Sequence, residues 1–317
     1  MIPLAHSVTA AMSERVATVR RAIADGLRDR VVGDDADDKR AAIMLAPGDR
    51  WFAPDRPIHM VHTDASMFIG GMRALLLQSL HPLAMAGVAQ HSDYRSDPWG
   101  RLQRTADFLA ATSFGPADVA EQVVARIRAV HSHVHGTASD GRPYSASDPH
   151  LLRWVHVAEV DSFIAAHRAY GAVRVDESVY DGYVEDMALI ARKLGVPAPP
   201  TSVQGLRDQM LMYRHELCST AESRDAARYL LVTPPLDAAT RVPYSLIAAA
   251  AVAILPAWAR NDLRLPYLPV TERALIRPIG QLVTTTIRWA TAIDAFGAVD
   301  GAVAGATTDG VVSPATR

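Results

Sequence analysis

The stretch DPWGRLQRTADFLAATSFGPADVAEQVVARIRAVHSH, residues 97–133, decides the fold. Asp97-Pro98 and Gly115-Pro116 each place a capping-type residue before a proline, whose missing N–H is harmless at the first helical position. Apolar residues then recur every three or four positions, which predicts helices over 98–113 and 116–135. Asp148-Pro149 repeats the signal and opens a helix over 149–170, after a Gly/Ser/Asp/Pro loop at 136–147. Working outward, the same spacing predicts helices over 65–79, 83–90, 177–194, 202–219, 221–231, 244–259 and 272–296, the last kinked or broken at Pro278. Alternating β-branched runs are missing, so no strand is expected. The fold class is all-α, a single large helical domain. Residues 1–45 read as an N-terminal helical extension, 46–296 as the main helical domain and 297–317 as a flexible tail, with a further polar, mobile stretch at 34–38.

Composition narrows the function classes. Hydrophobic residues make up 49% and charged residues 21%, enough apolar material for a large core. Lys+Arg number 32 against 34 Asp+Glu, a net charge of −2, and no basic stripe with interleaved aromatics appears, so nucleic acid is excluded as a partner. Cys218 is the one cysteine, which rules out an intrachain disulfide and any multi-cysteine metal cluster and fits a reducing compartment. The N-terminus reads as an amphipathic helix and not as an export signal, so the expected location is cytoplasmic. The most apolar stretch, residues 246–255, is far below the roughly 20 residues that span a bilayer. It is expected to be a buried helix, with a peripheral membrane contact as the alternative.

The chain has 12 histidines, and His81, His91, His131, His133, His135, His150 and His156 fall between residues 81 and 156. Val123, Val124, Ile127, Val130 and Val134 share one face of the second helix, and His131 lies on it, four residues after Ile127 and three before Val134. An inward imidazole needs a partner, either a metal or haem iron or a neighbouring carbonyl. On the preceding helix Arg101, Arg104 and Thr105 share a face beside Leu102 and Leu109. Two core-facing guanidinium groups require an anionic or oxygen partner, unless Asp97, Asp107 or Glu121 pairs with them. Arg128 repeats the pattern three residues before His131. His156 and His91 could face the same centre or serve as structural bridges. His131 and His135 have the i, i+4 spacing of a two-histidine metal site without the glutamate of a zinc protease. No Gly-x-Ser-x-Gly elbow, Gly-x-x-x-x-Gly-Lys loop or Gly-x-Gly-x-x-Gly turn occurs.

Several motifs in fixed order carry a resemblance. Leu77-Gln78-Ser79-Leu80-His81-Pro82, Gly87-Val88-Ala89-Gln90-His91-Ser92 and Asp97-Pro98-Trp99-Gly100-Arg101-Leu102-Gln103-Arg104-Thr105 come first. Arg128-Ala129-Val130-His131, Gly141-Arg142-Pro143-Tyr144-Ser145-Ala146-Ser147-Asp148-Pro149 and Trp154-Val155-His156 follow. Together they resemble the MpaB-type oxygenases, which include the rubber oxygenases called latex-clearing proteins. The likeness is densest over residues 70–170.

The resemblance implies a globin-like helical core around a b-type haem. It also implies O2-dependent oxidation or C=C cleavage of a hydrophobic, isoprenoid- or lipid-like small molecule. By the same likeness His131 is the proximal iron ligand, and Arg101, Arg104 and Thr105 lie on the oxygen side. Arg128, His156, His91 and Tyr144 complete the set expected at the cofactor. Latex-clearing protein carries a lysine where Arg104 stands; an arginine does not deprotonate, so a lysine-ligated resting state is not expected here. Two other readings stay open. One is a non-haem metalloenzyme using His131, His135 and His156 or Glu159, and the other a non-catalytic haem- or lipid-binding protein. A homodimer is the partner arrangement left open.

Overall fold

The structure is a computed structural model that describes residues 3–33 and 35–305, the side chains of 3–13, 40, 239 and 293–305 excepted. Helices dominate it, as the apolar spacing predicts. In chain order they are α1 (Pro3–Val31), α2 (Ala36–Arg40), α3 (Pro57–Thr63), α4 (Ser66–Gln78), α5 (Pro82–His91), α6 (Pro98–Phe114) and α7 (Ala117–His133). After a two-strand hairpin, β1 (His135–Thr137) and β2 (Pro143–Ser145), come α8 (Pro149–Tyr170), α9 (Glu177–Leu194), α10 (Val203–Tyr213) and α11 (Ala221–Leu231). α12 (Ala238–Ala253), α13 (Ala257–Asp262), α14 (Pro269–Thr271) and α15 (Arg277–Gly305) complete the chain, with π-helical turns at Ala41–Leu45 and Glu272–Ile276. None of the described helices is long and apolar enough to cross a membrane.

Two compact units result. The larger, Arg28–Thr284, holds the main core; the described residues of the smaller are 3–27 and 285–305. Within the smaller unit Ile287 and Ala290 are buried, and the Arg20 guanidinium stands 5.4 Å from the Trp289 ring centre.

The larger unit is organised on α8. Asp148 caps this helix by accepting from the His150 N–H at 2.9 Å, and Pro149 opens it. Its side chains are buried on nearly every side, so it behaves as a core helix and not an amphipathic surface one. Val157, Val160, Phe163 and Ile164 pack with Ile58, Val61, Tyr183 and Met187. Trp154 and Ala158 pack with Leu76, Leu77, Leu80 and Tyr213, while Ala166 and Tyr170 meet Ile69, Met72, Ala250 and Ala251. Each large apolar side chain so buried contributes about 1.5–3 kcal/mol.

α4 lies closest to α8. Gly70 permits the approach, because a Cβ there would sit 2.7 Å from Phe163 Cδ1 and 3.3 Å from its Cα. Polar groups fasten the same pair. Trp154 Nε1 donates to the Gln78 carbonyl at 3.1 Å. The buried Arg73 donates to Ser162 Oγ at 2.6 Å and to the Ile254 carbonyl at 3.1 Å, and pairs with Asp161 at 2.7 Å.

Several sequence expectations change. The loop expected at 136–147 contains an antiparallel ladder in which Gly136 faces Tyr144; strands of three residues are too short to show period-two alternation. Of the stretch expected to be mobile, Asp34 lies outside the described residues, while 36–40 form α2. α10 ends at Tyr213 and not near 219, because Glu216 N–H turns back to the Tyr213 carbonyl and Cys218 N–H donates to the Leu80 carbonyl. The helix expected over 244–259 is two: Asp237 caps α12 early by accepting from Thr240 N–H at 2.9 Å, Pro243 is tolerated inside it, and Pro256 separates it from α13. The break expected at Pro278 appears just upstream as the π-turn Glu272–Ile276. The helical backbone continues to Gly305, and residues 306–317 of the expected tail lie outside the described residues.

Candidate functional site

α6 and α7 form a hairpin around Gly115-Pro116. At about 1.5 Å per residue, Arg101 on α6 and His131 on α7 each lie roughly 20 Å along their own helix from the turn. Asp97 sets the start of α6 by accepting from Gly100 N–H at 2.9 Å. The same carboxylate pairs with Arg104 at 3.1 Å, turning a guanidinium that is 61% exposed toward solvent. The Gly100 N–H and then Arg104 hold the Asp97 carboxyl below its ordinary range.

Arg101 behaves differently. It is half-buried, and burial, with Arg104 second, weakens its hold on its proton without neutralising it. Among the described residues its one side-chain hydrogen-bond partner is Ser92 Oγ. The carboxylates that could have compensated it are engaged elsewhere: Asp107 pairs with Lys39 at 2.9 Å and Glu121 with Lys193. Thr105 is exposed and donates to the Arg101 carbonyl at 3.0 Å. The structure therefore brings Arg101 toward the interior and leaves Arg104 and Thr105 at the rim.

On α7 Val124 is buried, Val123, Ile127 and Val134 are half-buried, and Val130 is 53% exposed. The stripe is incompletely covered by described residues; on α6 Leu102 is also exposed. His131 is half-buried on this stripe and burial lowers its pKa; its ring hydrogen-bonds to none of the described residues. Arg128 is exposed one turn earlier. His133 turns outward, its Nδ1 2.8 Å from the Ala129 carbonyl. His135 lies past the helix end, in β1, so it does not share a helical face with His131.

His91 and Tyr144 find each other. His91 Nε2 lies 3.1 Å from the Tyr144 hydroxyl, which donates to Gln90 Oε1 at 2.6 Å, so the His91 ring nitrogen is the donor. Their network ties the hairpin to α5. Gly136 makes it possible, since a Cβ there would lie 2.7 Å from the Tyr144 oxygen.

α8 contributes His156 and, one turn on, Glu159. His156 is 7% exposed, its Nε2 is buried without a hydrogen-bond partner, and burial pushes its pKa down to about 4. The partly buried Glu159 carboxyl is pushed up to about 7 by burial. Nearby, His62 Nδ1 lies 2.7 Å from Ser113 Oγ and its Nε2 2.9 Å from the Tyr183 hydroxyl; burial, with His59 second, pushes its pKa to about 3. Burial, then Glu159 and Asp186, raises the Tyr183 phenol. His62 and Tyr183 were not singled out from sequence. The only signal for them was an apolar helical face that each interrupts.

These shifts predict a pH signature. Glu159 ionises near 7 when folded and near 4.5 when unfolded, so its contribution to stability is complete below 4.5 and lost as pH rises through 7. His156 acts oppositely: its contribution is complete above 6.5 and lost as pH falls through about 4. Glu159→Gln is expected to gain stability relative to the parent as pH rises from about 5 to about 8, by something on the order of 2 kcal/mol. Chemical denaturation across that range reads it, and parallel pH profiles for the two proteins would remove the carboxyl from the interior.

The all-α fold thus carries a half-buried guanidinium, Arg101, on α6 and a half-buried imidazole, His131, on α7. Residues 59–289 match the family described as ER-bound oxygenase mpaB/B'/Rubber oxygenase, catalytic domain, so the chain belongs to that family. No curated protein and no solved structure matches it.

Proposed function

We propose that the protein is a haem-b-dependent oxygenase that uses O2 to oxidise or cleave a hydrophobic, isoprenoid- or lipid-like small molecule. Membership of an oxygenase family supports the reaction class. One observation supports the cofactor: His131 is half-buried with no hydrogen-bond partner among the described residues, and Arg101 on the neighbouring helix is a half-buried guanidinium with no carboxylate beside it. His131 would hold the iron of a haem, and the exposed Val130 and Leu102 would offer apolar surface to its porphyrin. When bound, haem iron would supply the electron that O2 needs before it can react with a closed-shell organic molecule.

The residues then divide the work. Burial keeps the His131 ring neutral, the form that ligates. Arg101 offers a permanent cation where negative charge develops on oxygen, in surroundings of low dielectric. Arg128, exposed on α7, would supply a cation for the carboxylates that haem carries, whereas Asp97 already neutralises Arg104. His156 leaves a neutral acceptor, and Glu159 holds or releases a proton close to neutral pH. His91 and Tyr144, bonded to each other, position α5 and the hairpin. The non-haem alternative is disfavoured because, among the described residues, His131, His135, His156 and Glu159 do not assemble three donors at one point.

The test is an absorption spectrum and O2 uptake after expression with haem supplied. A Soret band with substrate-dependent uptake is expected; a Soret band without turnover on any hydrophobic candidate would make the chain a binding protein, and no Soret band would end the proposal. Arg101→Ala is expected to keep the haem and lower turnover by roughly a hundredfold. Arg104→Ala, whose charge Asp97 already neutralises, is expected to lower it far less. Turnover numbers for the two variants decide between them.

A further inference from the structure

Residues remote in sequence bring three more donors together, well apart from the α6–α7 pair in the chain. His81 precedes Pro82 at the start of α5, His150 lies in the first turn of α8, and Glu216 sits in the turn after α10. One ring nitrogen of each histidine and a carboxylate oxygen lie within 4.8 Å of one another. His150 Nε2 is 2.8 Å from Glu216 Oε2, and His81 Nε2 is 3.4 Å from the same oxygen. Zinc bonded tetrahedrally at about 2.0–2.1 Å sets its donors about 3.3 Å apart, close to this arrangement.

The backbone holds the donors in place. Asp148 caps the His150 N–H at 2.9 Å, and the Tyr213 hydroxyl donates to the His150 carbonyl at 2.8 Å. Cys218 N–H donates to the Leu80 carbonyl at 2.9 Å, tying the Glu216 turn to the residue before His81.

A second observation points to a ligand. His81 is 1% exposed, yet neither of its ring nitrogens makes a hydrogen bond; at 3.4 Å Glu216 is within ion-pair reach only. Buried polar atoms are nearly always satisfied, and two orphans on one ring are an exception that a Lewis acid on Nε2 would reduce to one. Two imidazoles and one carboxylate suit a borderline metal better than calcium or magnesium, which take oxygen ligands. His150, 47% exposed, opens the fourth position to water.

We propose that His81, His150 and Glu216 bind a divalent transition-metal ion of the zinc class, which clasps the starts of α5 and α8 to the turn after α10. Its three donors include none of the residues assigned to haem.

The experiment uses the full chain without an affinity tag, stripped with a chelator and titrated with Zn2+ against a chromophoric competitor. One zinc per chain is expected, bound at least roughly tenfold more weakly by His150→Ala and by Glu216→Gln. Both positions are partly exposed, so these variants fold where His81→Ala could fail. Zinc should also raise the melting temperature of the parent and leave that of both variants unmoved. His133→Ala, on the outer face of α7, should bind as the parent does. Equal zinc affinity in all four proteins, or no stoichiometric binding, overturns the site. His131→Ala should keep the zinc whatever happens to its haem, which separates failure of this site from failure of the oxygenase reading.

Discussion

His131→Ala is expected to purify without a Soret band and with unchanged helical circular dichroism. The ring is two residues from the end of α7 and hydrogen-bonds to no described residue, so its removal breaks no internal network. Alanine is the better helix former, and the change in stability should stay below about 1 kcal/mol. On the proposed assignment, by contrast, the substitution removes the residue that would hold the cofactor's iron. Haem affinity should fall by at least roughly a hundredfold, beyond what loss of an outer-shell partner brings. Titration of haem into stripped protein measures this. A variant that still binds haem with the parent's affinity and spectrum would move the axial role to His156, whose buried Nε2 is the next candidate.

Arg73→Ala is expected to be the most destabilising single substitution in the α4–α8 contact. The guanidinium, buried at 3% exposure, satisfies Ser162 Oγ, the Ile254 carbonyl and the Asp161 carboxylate at once. Truncating it strands these acceptors and leaves a void between the two helices. Breaking a buried pair from one side typically costs about 3–5 kcal/mol, and the partial exposure of Asp161 places the expectation near 3. Unfolding by urea should show it as a lower midpoint with an unchanged slope. A loss below about 1 kcal/mol would mean that water replaces the guanidinium at little cost. Replacing Arg73 and Asp161 together by apolar residues of similar volume should recover much of the loss, because no charge is then left unpaired.

Local signals in the chain were legible where one element carried the whole message. Asp148-Pro149 and the spacing behind it predict α8 to its last residue, and 177–194 and 221–231 are likewise recovered. The short ladder at β1 and β2 is not legible, because its stability comes from Tyr144 packing on α5 and not from its own pattern. α10 ends early through a bond to Leu80, a partner remote in sequence. The same distinction governs the site. Helical spacing places Arg101, Arg104 and Thr105 on one face, but the Asp97 cap draws Arg104 outward and leaves Arg101 alone inside. His131 could be placed on an apolar stripe from periodicity; that Val130 beside it is largely uncovered could not. The cluster of His81, His150 and Glu216 has no sequence signature at all, since tertiary packing alone brings its members together.

The missing side chain at Gly70 reaches further than its neighbours. It lets α4 and α8 nest, and α8 carries His150, His156 and Glu159 along a single rod. An added methyl would have to push that rod aside, shifting an ionisable interior group and a surface imidazole in one movement. Damage at a spot that touches neither chemistry would then register in both, which makes Gly70→Ala a mechanical probe of how stiffly the two locations are joined.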